Sequence, residues 1–119
     1  MDRDFLLHIT TPDEWAAAEA SGAVTPPSLA EVGFVHLSTP EQVALPANRL
    51  YHGRTDLLLL VLDLARIGVE IRYEPGEPND TESMRFPHAY GPVPTSAVMT
   101  VRPYRPRPDG TFDPPAIPG

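Results

Sequence analysis

The chain has 119 residues, of which 41% are hydrophobic and 21% are charged, so its size and composition indicate one globular domain with its own core. The net charge of −7 argues against a general surface for nucleic acids. Because cysteine and lysine are absent, disulfides, thiolate metal sites, cysteine nucleophiles and Schiff-base chemistry are excluded. No apolar run is long enough to cross a membrane, and the acidic start does not resemble a signal peptide, so we expect a cytoplasmic protein.

The first half of the chain predicts alternating short strands and helices. Apolar runs at residues 5–9 and 34–37 predict strands. Thr11, followed by proline and two acidic residues, is typical of a capped helix start, and Gly22 marks the end of that helix. Two more helical segments are predicted: a single turn with capping-box spacing at 28–31, closed by Gly33, and a helix capped by Ser38 or Thr39 that ends near Gly53.

The second half predicts three strands separated by two irregular segments. The apolar run 57–64 predicts a buried central strand, alternation over 69–74 predicts a half-buried strand, and 97–101 predicts a last strand. Between them, 75–85 is a polar loop, with a flap over a site as one interpretation. The segment 86–92 is predicted to be a tight turn bounded by proline and glycine.

The order of these elements indicates an α+β fold with a mixed or antiparallel sheet. The chain becomes rich in proline after residue 102 and loses its apolar periodicity. We therefore predict a single domain over 1–102 and an extended or disordered tail over 103–119 that contributes little to stability.

Three histidines stand where a small core would normally hold apolar side chains. His8 and His36 lie in the two apolar runs of the first half, and His88 lies in the 86–92 segment beside Tyr90. A buried imidazole costs desolvation unless it has a partner, so we expect the three rings to line one polar cleft. The alternatives are a core histidine bonded to nearby backbone for His8, and a packed turn for His88 and Tyr90.

Two further groups are candidates because of their residue types. Ser38 and Thr39 supply hydroxyls beside free amides at a predicted helix start, which would form a seat for a phosphate or another anion. The alternative is that they only cap the helix. Glu74 ends a predicted strand, where it would be a general base, an acceptor for a ribose hydroxyl, or a solvated carboxylate.

In combination, these segments resemble domain-of-unknown-function family 952. The resemblance rests on LHI at residues 7–9, GFVHLSTPEQ at 33–42, DL at 56–57, YE at 73–74 and FPHAYGP at 86–92. It covers most of the chain and leaves out the proline-rich tail. It implies an ADP-ribosyltransferase-like fold, in which a split, mostly antiparallel sheet with short flanking helices surrounds a cleft for NAD.

The same resemblance implies roles for individual residues. His8 would contact a ribose hydroxyl, His36 would lie against the nicotinamide end, and Ser38 would be a hydroxyl on the phosphate side. Superfamily members without a glutamate on the last strand use cationic clusters instead, for which the candidates here are Arg49, Arg72 and Arg85. The candidate catalytic residues are therefore His36, His8 and Glu74, and the candidate ligand-binding residues are Ser38, Thr39, His88, Tyr90 and Arg72.

Three functions are consistent with these candidates. The first is binding of NAD or a related nucleotide with transfer of ADP-ribose, in which the cleft stabilises the charge that develops as nicotinamide leaves. The second is a non-catalytic module for a small ligand or a protein. The third is a metal-dependent enzyme that uses the three histidines and Glu74, although no metal-ligand spacing supports it and we expect no metal.

Overall fold

The computed structural model describes residues 4–75 and 85–116. Helices and strands alternate along most of the chain, as the sequence indicated. In chain order the elements are β1 (Phe5–Thr10), α1 (Pro12–Ser21), β2 (Ala23–Val24), α2 (Pro27–Val32), β3 (Val35–His36), α3 (Ala44–Leu50), β4 (Leu57–Asp63), α4 (Leu64–Ile67), β5 (Ile71–Pro75), β6 (Arg85–Ala89), β7 (Val93–Pro94), a 3-10 helix (Thr95–Ala97) and β8 (Val98–Tyr104). The predicted flap falls mainly on residues 76–84, which lie outside the described residues.

Two three-stranded sheets and one two-stranded ribbon form the fold, and every described strand pair is antiparallel. The strand orders are β1-β4-β8, β3-β6-β5 and β2-β7. A single bridge joins the two larger sheets, because Leu7 and Ser38 exchange N–H···O bonds of 2.7 and 2.8 Å. The predicted α+β class with antiparallel pairing is confirmed.

Strand β4 is a continuous apolar run because both of its faces are covered. Leu60 and Leu62 face one buried cluster, which includes Ala18 of α1. Leu59 and Val61 face a second cluster, which includes residues of α3 and the C-terminal segment. The domain therefore has two cores on opposite sides of one central strand, and the run of leucines predicted that strand correctly.

Helix α1 forms as the sequence predicts. The side chain of Thr11 accepts a hydrogen bond from the Glu14 amide, and Gly22 ends the helix in the left-handed conformation at φ 88°. The prediction for α2 is right about the helix and wrong about its cap, because Pro26 is the N-cap residue. The Ser28 hydroxyl instead donates to the carbonyl of Phe34 at 2.8 Å, so it ties α2 to the start of β3.

Two local predictions are wrong because tertiary pairing overrides the local signal. The segment 86–92 is not a tight turn: most of it belongs to β6, which pairs with β3 on one edge and β5 on the other. Likewise, no helix begins at Ser38 or Thr39. The chain makes a turn first, and α3 starts at Ala44 with no side-chain cap.

The predicted tail also requires correction, because its described part belongs to the domain. Strand β8 continues through Tyr104, and the Phe112 ring packs against the Tyr104 ring with centroids 4.9 Å apart. Asn48 of α3 holds the Phe112 backbone on both sides, donating to its carbonyl at 3.1 Å and accepting from its amide at 2.6 Å. Residue 102 is therefore not a structural boundary, and proline content was a poor guide to order here.

Candidate functional site

A cavity of about 350 Å³ opens where the two larger sheets meet. Several bordering elements contribute polar side chains to its wall. The strands and the residues after them contribute His8, His36 and Ser38, α1 contributes Glu14, and α3 with the residue that follows it contributes Arg49 and Tyr51. The volume is at the lower end of the range for small-molecule sites, which begins near 300 Å³.

His8 is held in one orientation at the base of this cavity. Its side chain is only 7% exposed, and its Nδ1 lies 2.8 Å from the carbonyl oxygen of His36. Since a carbonyl only accepts, Nδ1 carries the proton and donates, and Nε2 is left as an acceptor in the neutral ring. Burial lowers the pKa of His8, although the bond to His36 and the charge of Glu14 oppose the shift. At neutral pH this histidine therefore offers a lone pair to a ligand.

His36 is exposed on the cavity wall, contrary to its prediction as a buried strand residue. Strand β3 pairs His36 directly with His88 on β6, so their rings lie on the same face of the sheet with centroids 5.4 Å apart. The ring of Phe34 meets His36 edge-on at 4.9 Å. Its remaining burial lowers the pKa of His36, and the neighbouring His88 and His8 lower it further, so this ring is also neutral at pH 7.

His88 lies behind His36 rather than in the cavity wall. It is 2% exposed, and its Nδ1 donates to the carbonyl of Phe86 at 2.7 Å. The ring of Phe34 also packs edge-on against it at 4.5 Å. The three histidines thus lie together, as expected, but only His8 and His36 line the cavity, while His88 supports the ring of His36.

The predicted anion seat at residues 38 and 39 is not formed. Ser38 is buried and lines the cavity, and its backbone is occupied by the bridge to Leu7. The amide of Thr39 donates to Oε1 of Gln42 at 3.4 Å, and Thr39 does not line the cavity. Because no helix begins there, the free helix-start amides that an anion would need are absent at this position.

The other three predicted residues form a separate group on β5 and directly after β6. The hydroxyl of Tyr90 donates to the carboxylate of Glu74. The Arg72 guanidinium lies over the ring of Tyr90, 4.6 Å from its centroid, and forms an ion pair with Glu70 at 2.9 Å. None of the three lines the cavity. The ring of Phe34 connects the two groups, since it contacts Tyr90 at 5.5 Å as well as His36 and His88.

Residues 9–101 of the chain match the model of a protein family whose description is Protein of unknown function (DUF952). The chain belongs to this family. The resemblance in the sequence motifs is therefore confirmed. The matched range contains every residue of the histidine cluster except His8, which lies one position before it, and it ends before the C-terminal segment that packs on α3.

Solved structures that are similar to this chain agree with the fold. A crystal structure of protein CC0527 from Caulobacter crescentus is 29% identical, covers 92% of this chain and 94% of that chain, and superposes with a TM-score of 0.76. A crystal structure of a double mutant of CC0527 gives the same values. Its solution NMR structure has a TM-score of 0.74 at 29% identity, with 90% of each chain covered. A search of the curated proteins finds no match to the chain.

Sequence reasoning missed two site residues of this DUF952 domain, Glu14 and Tyr51. Glu14 is an acidic residue in the first turn of a predicted helix, which indicates only a helix start, and it does form two hydrogen bonds with Thr11. Nothing local shows that this helix start lies beside β1 and His8. Tyr51 follows α3 in an irregular segment, where its type alone indicates nothing. Both could have been found only from the packing of α1 and α3 around the cavity.

Two negative findings apply to residues 4–75 and 85–116. No three histidine, aspartate or glutamate side chains in these ranges converge closely enough to hold a metal ion. Glu74, which the metal-dependent alternative would use, is hydrogen-bonded to Tyr90 and does not line the cavity. In the same ranges, no helix combines the length and apolar character needed to span a membrane.

Proposed function

We propose that the cavity binds the nicotinamide–ribose end of NAD, or of a related nucleotide, and that the domain transfers ADP-ribose from it. The observation that carries this proposal is the His8–His36 pair. One histidine is fixed with its Nε2 as an acceptor, and the other stands beside it on the wall of a cavity between two antiparallel sheets. Such sheets joined at a bridge are consistent with the split sheet of an ADP-ribosyltransferase-like fold.

The size and lining of the cavity fit one end of a dinucleotide. Its volume of about 350 Å³ suits a ring and a sugar, so the adenylate half would lie outside it. Apolar residues on several sides, among them Pro26, Leu37 and Phe86, would exclude water from a flat ring. The hydroxyl of Ser38 and the guanidinium of Arg49 also line the cavity, and they would meet the sugar and the phosphate.

Each histidine has a distinct role in this proposal. His8 accepts a hydrogen bond from a ribose hydroxyl at Nε2, because Nδ1 is already engaged. His36 positions the ring end, with its own orientation fixed by Phe34 and His88. When bound, NAD supplies an N-glycosidic bond that breaks with its electron pair passing to nicotinamide, while an acceptor oxygen or nitrogen bonds to the same carbon and loses its proton.

A second candidate is a module that binds the same ligand without turnover. It is favoured by one observation: Glu74, the carboxylate predicted to be catalytic, is hydrogen-bonded to Tyr90 and does not line the cavity. Both candidates require binding, and only the transferase releases nicotinamide.

NMR titration with NAD tests binding, and a nicotinamide assay tests turnover. His36→Ala should weaken binding by roughly 5- to 150-fold, the equivalent of a lost hydrogen bond worth about 1–3 kcal/mol, without unfolding the domain. His52→Ala is the matched control, because His52 is exposed and does not line the cavity. If the wild type shows no saturable binding of NAD or NADP at millimolar concentration, the proposal is wrong. Binding without nicotinamide release would identify the non-catalytic module.

A further inference from the structure

The side chains around the cavity favour a ligand with a positively charged end. Among the lining residues, Glu14 contributes a carboxylate, and Tyr51 and Phe86 contribute aromatic rings. An aromatic face attracts a cation, and a nearby carboxylate adds to that attraction. The net charge of −7 acts in the same direction over longer distances.

Glu14 occupies a defined place at the edge of the cavity. Its backbone amide donates to the Thr11 hydroxyl at 3.2 Å, and its Oε1 accepts from the same hydroxyl at 3.2 Å. These reciprocal bonds at the start of α1 limit the directions that the carboxylate can take. The Glu14 carboxylate is exposed to solvent, and the bond to Thr11 holds it at the edge of the cavity.

The same residue stands where two cavities adjoin. A smaller cavity of about 160 Å³ lies between α1 and β2, with a largely apolar lining that includes Ala17, Ala18 and Val24. It shares His8 and Glu14 with the larger cavity, together with two prolines. A ring placed at this junction would contact the neutral His8 on one side and the Glu14 carboxylate on another.

Tyr51, one of the aromatic residues that line the cavity, is neutral, and the charge of the Glu14 carboxylate acts on it. Burial raises the pKa of Tyr51, and the charge of Glu14 raises it further, whereas Arg54 opposes the shift. The Tyr51 phenol therefore stays protonated near neutral pH. Arg49 contributes positive charge to the cavity from α3. The arrangement suits a ligand that has a cationic ring at one end and an anionic remainder.

We propose that the cavity recognises the positively charged ring of its ligand and that Glu14 is the residue that determines this specificity. The proposal rests on the proposed function, because among nicotinamide nucleotides it means that the oxidised pyridinium binds in preference to the uncharged dihydropyridine. The proposal assigns to the site a carboxylate from α1, whereas the sequence motifs that predicted the site lie on or next to strands.

The test compares charged and uncharged rings on matched variants. Binding of NAD⁺ and NADH, and of 1-methylnicotinamide and nicotinamide, is measured by NMR titration for the wild type, Glu14→Gln and Glu19→Gln. Glutamine retains the capping interaction with Thr11, so Glu14→Gln should fold normally. Glu19 is the control because it lies on the same helix, is exposed and does not line either cavity.

The wild type should bind each cationic ring roughly two- to fivefold more tightly than its neutral counterpart, as expected of an exposed charge pair. Glu14→Gln should lose this preference, and Glu19→Gln should keep it. Equal binding of NAD⁺ and NADH would overturn charge recognition and leave the proposed function intact. Glu14-dependent binding of 1-methylnicotinamide without binding of NAD⁺ would support the cation site and refute the proposed function. If no probe binds, both proposals are wrong.

Discussion

The substitution Phe112→Ala should strongly destabilise the domain, although Phe112 lies beyond the matched family range and among prolines. Its side chain is 4% exposed and belongs to the buried cluster that contains Leu59 and Val61 of β4. Its backbone is held by two hydrogen bonds to Asn48. The loss of this ring removes both its own burial and a wall of the second core.

The expected cost is about 3–4 kcal/mol, the lower part of the range for a buried phenylalanine, because an irregular segment can partly collapse into the space. For a chain of this length, that cost corresponds to a fall in Tm of roughly 10–15 °C. Thermal unfolding followed by circular dichroism measures it. Pro108→Ala is the control in the same segment, since Pro108 is exposed and its replacement should cost less than about 0.5 kcal/mol. A Tm for Phe112→Ala within about 2 °C of the wild type would refute the inference that the segment is part of the core.

Two further predictions concern stability. Burial lowers the pKa of both His8 and His36 below the usual histidine value of about 6.5, so the unfolded chain binds more protons in mildly acidic solution. The stability that these two neutral histidines allow is complete above their pKa in the unfolded chain and is lost as the pH falls below that value. The free energy of unfolding, measured by urea denaturation, should therefore decrease from pH 7.5 to pH 5. A free energy that does not change over this range would contradict the prediction. Gly110→Ala should cost about 1–2 kcal/mol, because Gly110 has φ +89° and a Cβ there would lie 2.6 Å from Cε1 of His52. The exposed His52 ring can move aside, so we expect most of this cost to come from backbone strain at residue 110. The cost should therefore remain when Gly110→Ala is made in a His52→Ala background. If that background restored the full stability, the contact with the His52 ring alone would be responsible.

Local patterns in the sequence predicted the elements that depend on local interactions. Thr11 and Gly22 defined α1 correctly, since a hydroxyl cap and a left-handed glycine act within one helical turn. The apolar run of β4 identified the central strand, because a strand covered on both faces has no polar positions to obscure it. His8 and His36 were predicted to line a cleft because both lie in apolar runs, and both line the cavity, although only His8 is buried.

The tertiary structure alone decided which residues surround the cavity. Glu74 appeared suitable as a catalytic carboxylate, but its strand register places it opposite Phe86 on β6, where it meets Tyr90. Glu14 lines the cavity from the first turn of α1, which its residue type and spacing in the sequence did not indicate. Phe112 becomes a core residue through Asn48, 64 positions earlier in the chain. Contacts between distant segments depend on how the sheets and helices pack together, whereas short-range sequence patterns report only the preferences of each segment.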